Sequence, residues 1–374
     1  MFMTIEEIME EGVKCNASDI LCIPGSPVSF QINGFLRTYL EFVPDDDMAN
    51  MIHEIYDRAD RDINILLERK EDDDFIVSLN DHIRFRVNAF LTLGKPAAVL
   101  RCIQDNLLEE VSASIPEHVI KYAELKSGLI LICGSPGSGK TTTAATMLDH
   151  INKNYKRHII TLEDPVEYRM KSNQCIISQR DIYNDVVDYE TAIASSLRER
   201  PNIIFVGELR GQTAIEAALK AAESGVLVIA TLHTKGATDT LSRILQNFPA
   251  DYAESVSMQL ANTLRVIIYQ KMIDQIGTHG LVLYETVENN NAVSNLIRDR
   301  KVKQLKNVQH SSPDLLPHCM EASLLYAYRD ELISEDIVHE YAEAEYDKWV
   351  NTQINIIDVL RQEKELEQYK IGKI

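Results

Sequence analysis

Hydrophobic positions follow two different rhythms along the chain. Up to about residue 104 they mix helical spacing with strict alternation. Ile5–Cys15 carries apolar residues at helical intervals, and Ile52–Arg69 does the same among many charges. Val28–Ile32 and Ile83–Phe90 alternate apolar and polar residues, as half-buried strands do. The stretch 1–104 therefore reads as a small α+β domain. From 105 to 116 the chain turns polar and acidic and then meets Pro116, which marks a linker. Beyond it, short strands are apolar throughout: Leu129–Cys133, His158–Leu162, Asn202–Val206 and Val226–Leu232. Runs without polar alternation belong to a sheet covered on both faces. Between them, Thr143–Asn152 and Gln212–Ser224 repeat apolar residues at i, i+3, i+4 and i+7, and the second stops at Gly225. Alternating strand and helix predicts a doubly wound α/β domain over 117–340. From Tyr252 onward the pattern reads as mostly helical, ending in a charged helical tail over 341–374.

Composition narrows the classes. The 374 residues are 45% hydrophobic and 25% charged, enough apolar material for two cores without disulfides or structural metal. A net charge of −19 repels phosphate backbones, so no nucleic-acid partner is expected. The six cysteines form no CxxC pair and read as reduced core residues. No basic start is followed by an apolar signal region, and no apolar run is long enough to span a bilayer. A cytoplasmic location is expected.

Chemistry enters at Gly134-Ser135-Pro136-Gly137-Ser138-Gly139-Lys140-Thr141, which fits GxxxxGK[ST] at every defined position. An apolar strand precedes it and an amphipathic helix follows. Glycines let the backbone curl so that several N–H groups point at phosphate oxygens, and the helix N-terminus adds partial positive charge. The loop predicts a site for ATP with Mg²⁺. Gly134, Ser135, Gly137, Ser138, Gly139, Lys140, Thr141 and the adjoining Thr142 form the cradle. Lys140 reaches the β- and γ-phosphates, and the Thr141 hydroxyl ligates Mg²⁺. A glycine-rich turn with a chance Lys-Thr is the plain alternative, and the strand and helix context argues against it.

Such a loop needs carboxylates at neighbouring strand ends to hold the metal and orient water. Asn202–Val206 runs into Gly207-Glu208-Leu209-Arg210, making Glu208 the metal-side carboxylate and general base. His158–Leu162 runs into Glu163-Asp164-Pro165, making Glu163 a second candidate for Mg²⁺ or water. Either acid alone could be a solvated strand end; two of them downstream of one phosphate loop make that reading weaker. Val226–Leu232 ends at His233, a candidate γ-phosphate sensor, although a lone histidine is ordinarily structural.

With these four strand-end motifs in order, the chain resembles the secretion ATPase family that powers type II secretion and type IV pili. Gly134–Thr141 matches its Walker A loop and Thr161–Glu167 its Asp box. Gly207–Arg210 matches its Walker B segment and Thr231–Thr234 its His box. Ala17-Ser18-Asp19 with Gly25-Ser26-Pro27, and Arg84–Phe90 with Arg101, resemble its N-terminal segments. Ala292–Asp299 resembles the AIRNLIRE segment of the retraction branch, and the four cysteines of the assembly branch's zinc site are missing. Three departures stand out. Gly211 occupies an acidic position, Arg200-Pro201-Asn202 replaces Asp-Pro-Asp, and Ser294 replaces an arginine.

The resemblance implies a RecA-like ATPase core with a smaller N-terminal PAS-like domain, assembled as a homohexamer. It implies Arg84, Arg86 and Arg101 as charges facing the β- and γ-phosphates, against the plainer reading of a solvated strand face. It implies an inner-membrane pilus platform protein as partner, with a second retraction or assembly ATPase beside it, and peripheral association with the inner membrane. The expected function is ATP-driven pilus retraction. The alternatives are an assembly or secretion ATPase of the same family and a nucleotide-gated scaffold with little turnover.

Overall fold

A computed structural model describes residues 4–32, 35–40, 43–80, 82–182 except 105–114, 184–273, 280–311, 318–342 and 346–371. Tertiary contacts divide the chain into two units. One holds Met1–Val111 together with Pro165–Arg169, and the other holds Ser112–Asp164 with Met170–Ile374. The expected linker falls almost wholly on 105–114, outside the described residues.

The first unit is built on a six-stranded antiparallel sheet. Its strands are β1 (Asp19–Cys22), β2 (Val28–Ile32), β3 (Phe35–Leu40), β4 (Asp73–Ser78), β5 (Ile83–Thr92) and β6 (Lys95–Gln104). They are ordered β3-β2-β1-β6-β5-β4. The helices Ile5–Lys14 and Asp45–Arg58 bury Ile8, Met9, Ile52 and Ile55 against Phe85, Val87 and Leu100. The second helix differs from the expected Ile52–Arg69. It starts seven residues earlier (52 − 45 = 7), just after Pro44, with Asp45, Asp46 and Asp47 in its first turn. Three carboxylates complement the helix N-terminus, and a proline before the first turn needs no amide partner. It stops where Asp60 turns left-handed at φ 52°.

The second unit carries seven strands. They are β7 (Gly128–Gly134), β8 (His158–Glu163), β9 (Ile176–Asp181), β10 (Ile203–Val206), β11 (Leu227–Leu232), β12 (Leu264–Ile273) and β13 (Leu281–Glu288). Their order is β13-β12-β7-β11-β10-β8-β9, parallel except for β13 against β12. Every residue of β7, β10 and β11 is buried, as their unbroken apolar sequence requires. Helix Lys140–Asn154 extends the first helical pattern read in the sequence by a few residues, and Gly211–Glu223 matches the second with a shift of one residue. The expectation of a mostly helical chain after Tyr252 is corrected by β12 and β13. Leu264–Ile273 has the β-branched, apolar content of a strand and pairs with β7 over Leu264–Gln270. The β12–β13 hairpin then receives the C-terminal helices Met320–Arg329, Glu335–Tyr341 and Asp347–Ile371. Val350 and Ile354 of the last helix are buried in one cluster with Ile273, Leu283 and Leu324.

Four of the six cysteines are buried, as expected, but Cys15 is exposed and Cys102 half-buried. Among the described residues no helix is long and apolar enough to cross a membrane.

Candidate active site

Parallel strands deliver their C-terminal ends to one edge, and the sheet order decides what meets there. β11 lies between β7 and β10, so a histidine-bearing strand separates the phosphate loop from Gly207-Glu208. At about 4.8 Å per strand, the β10 end lies roughly 10 Å from β7, and the β8 end one strand further. That gap leaves room for a terminal phosphate and an attacking water between loop and carboxylate.

The loop itself is formed. Gly139, left-handed at φ 83°, caps the helix that begins at Lys140. Lys140 is 6% exposed, and its Nζ donates to the carbonyls of Gly134 (3.1 Å) and Ser135 (2.8 Å). The Ser138 hydroxyl is buried with no hydrogen-bond partner, a polar group aimed into a loop that suits phosphate oxygens. Thr141 and Thr142 stand half-buried in the first helical turn. The far side of the loop is braced by Gln270 of β12. This fully buried amide donates to Thr143 Oγ1 (2.9 Å) and to the Ser138 carbonyl (3.4 Å). Nothing in the sequence singled out Gln270, because the strand that carries it had been read as helix.

The acids sit as the strand ends predict. Glu163 closes β8 and is 5% exposed. Gly207 lies hard against it. A side chain at Gly207 would start 3.2 Å from the Glu163 Cα and from the Leu162 carbonyl, and the Gly207 N–H donates to that carbonyl at 2.7 Å. The glycine before Glu208 is thus dictated by the closeness of two strand ends. Glu208 Oε1 accepts from Arg210 Nε at 2.5 Å and lies 3.6 Å from His233 Nε2. Thr231 of β11 donates to the Gly207 carbonyl, tying this segment to the neighbouring strand. Burial first, and then the Lys140 ammonium, lower the His233 pKa against the opposing pull of Glu208. The ring is therefore neutral at physiological pH and able to offer one N–H.

Tyr189, at the start of the helix Tyr189–Ser196, joins this group although sequence reading missed it. Burial, followed by Asp164, Glu208 and Glu163, drives its phenol above the ordinary range. Its signal was hidden because it comes from a turn whose approach to the acids is set only by the tertiary fold.

The three arginines separate. Arg86 and Arg101 are directly opposed across β5 and β6. They are 36% and 69% exposed, with Asp74 at 3.8 Å from the first and Asp19 at 2.9 Å from the second. Arg84 differs from its expected place beside the phosphates. It is 1% exposed, and its two terminal nitrogens donate to the Val166 and Glu167 carbonyls at 2.6 Å each. Strand alternation puts it on the same face as Arg86, but the segment Pro165–Arg169 covers it there.

Gly211, where the family carries an acid, has φ 74°. Nothing lies within 4 Å of where its side chain would start, so the backbone conformation and not space selects glycine.

Comparison with known proteins identifies the family. The model of the Type II/IV secretion system protein family matches residues 1–365. The type IV pilus retraction ATPase PilT of Pseudomonas aeruginosa is 34% identical over 342 residues, 91% of this chain and 98% of that protein. A twitching motility protein of Neisseria gonorrhoeae is 36% identical over 299 residues, 80% of this chain and 79% of that one. The crystal structure of the pilus retraction motor PilT with bound ADP superposes with a TM-score of 0.81 at 33% identity, covering 92% of this chain and 98% of the other. The chain belongs to the Type II/IV secretion system protein family and is an ATPase with a RecA-like nucleotide-binding core.

Proposed function

We propose that this ATPase is the retraction motor of a type IV pilus, working as a homohexamer on the cytoplasmic side of an inner-membrane platform protein. The observation that carries the reading is the match over 91% of this chain and 98% of the length of a retraction ATPase.

Thr141, Glu208 and Glu163 would hold Mg²⁺, which would supply charge neutralisation on the phosphates. The chain's own residues do the rest. The phosphate loop holds the nucleotide, and Lys140 leaves its two carbonyls for the β- and γ-phosphates. The Thr141 hydroxyl stands in the first turn of the helix after the loop, and Glu208 and Glu163 stand at the ends of neighbouring strands. Glu208 orients the attacking water and takes its proton. Neutral His233, between loop and acid, donates to the terminal phosphate. Arg86 and Arg101 complete the site by meeting the phosphates of a neighbouring subunit. The two arginines are directly opposed on adjacent strands, so a single anion placed across them would meet both guanidinium groups in addition to their aspartate partners. Their tighter hold on the triphosphate than on the products makes closure follow binding and opening follow release.

The test is a deletion strain complemented with wild-type or Lys140→Ala protein. Hyperpiliated cells that regain twitching only with the wild-type chain are expected. Bald cells would instead assign the chain to pilus assembly.

A further inference from the structure

A guanidinium that is 1% exposed and spends two donors on main-chain carbonyls is holding a segment in place. What it holds is unusual. Only Pro165 separates Val166 and Glu167 from Glu163 and Asp164, yet Pro165–Arg169 counts with the first unit. The chain leaves the second unit after Asp164, makes five residues of the first, and returns at Met170.

We propose that Arg84 is a positioning residue that acts on Glu163 through this segment. The steps are short. Arg84 fixes the Val166 and Glu167 carbonyls to β5. Pro165, with its locked φ, joins them to Asp164 and Glu163 with little slack. The Glu163 backbone lies against Gly207, one residue before Glu208. A displacement of the first unit during the ATPase cycle is delivered along the peptide to both acids at once. The proposal rests on Glu163 taking part in hydrolysis.

Arg84→Lys keeps the charge but loses the fork that engages two carbonyls. Pro165→Gly leaves the fork and loosens the tether. Both full-length variants, their double and Glu163→Gln are compared in steady-state ATPase and ADP-binding assays, at a temperature where each is folded by circular dichroism. A misplaced catalytic group lowers kcat by about tenfold or more while leaving KM and ADP affinity close to wild type. That split is expected for Arg84→Lys and for Pro165→Gly, and the double variant should be no slower than the slower single one, because both cut the same tether. If Arg84→Lys does not fold, Pro165→Gly carries the test alone. Weaker ADP binding in Arg84→Lys would place the guanidinium on the phosphates and overturn the proposal. So would wild-type kcat in the folded variants while Glu163→Gln is slow. Normal turnover in Glu163→Gln would instead remove Glu163 from the chemistry, a separate failure.

Discussion

Glu208 stands between a guanidinium and a neutral imidazole, Arg210 at 2.5 Å and His233 at 3.6 Å. Glu208→Gln is expected to keep nucleotide affinity and lose hydrolysis by ~10²-fold or more, the loss typical of a positioned base. Normal turnover per bound nucleotide in a phosphate-release assay would return Glu208 to a structural role. For His233 the sign follows from its lowered pKa. Between the unfolded value of 6.5 and the lower folded one, the unfolded chain binds a proton that the folded site refuses, so stability falls as pH drops through that window. His233→Asn should flatten the slope of Tm against pH there, with Lys140, Glu208 and Arg210 left in place. An unchanged slope would mean that the ring protonates freely.

At the scale of elements, much was legible because each motif sits at the end of a strand that buries on both faces. An apolar run followed by Gly-Glu or Glu-Asp places its acid without any three-dimensional information. What stayed hidden came from pairing. β12 was masked by its consecutive polar residues Gln270 and Lys271, and Arg84 looked like Arg86 because covering by Pro165–Arg169 is a long-range event. The helix Asn291–Arg298 sharpens a prediction of the same kind. Ile297 is fully buried in the ATPase core and Leu296 packs against it, so removing them would cost about 2–5 kcal/mol each and confuse force output with folding. Asn295 and Arg298 are exposed on the same helix. Asn295→Ala with Arg298→Ala is expected to leave Tm and ATPase rate unchanged and to abolish pilus retraction. Normal twitching by that variant would detach the segment from mechanical output.

Across the whole molecule, the proposed homohexamer has Arg86 and Arg101 of one copy completing the site of another. Lys140→Ala and Arg101→Ala should each be inactive alone. Mixed before assembly, they should recover part of the activity, because some interfaces then join an intact loop to an intact arginine. No recovery in mixed assemblies of verified composition would make the arginines act within one subunit or as surface charge only.

Gln270 braces the phosphate loop from β12, the same strand whose far end, Ile273, is packed by the terminal helix through Val350 and Ile354. One rigid strand therefore runs from the tail to the wall of the nucleotide pocket. A load on the tail is expected to act as a timing signal, changing how long ADP dwells before the loop lets go. A chain ending at Tyr341 should show an altered dissociation rate for a fluorescent ADP in stopped flow, with Lys140 and Glu208 untouched. If release keeps its wild-type rate in a folded truncation, the terminal helix carries no such signal and the motor's clock is set at the acids alone.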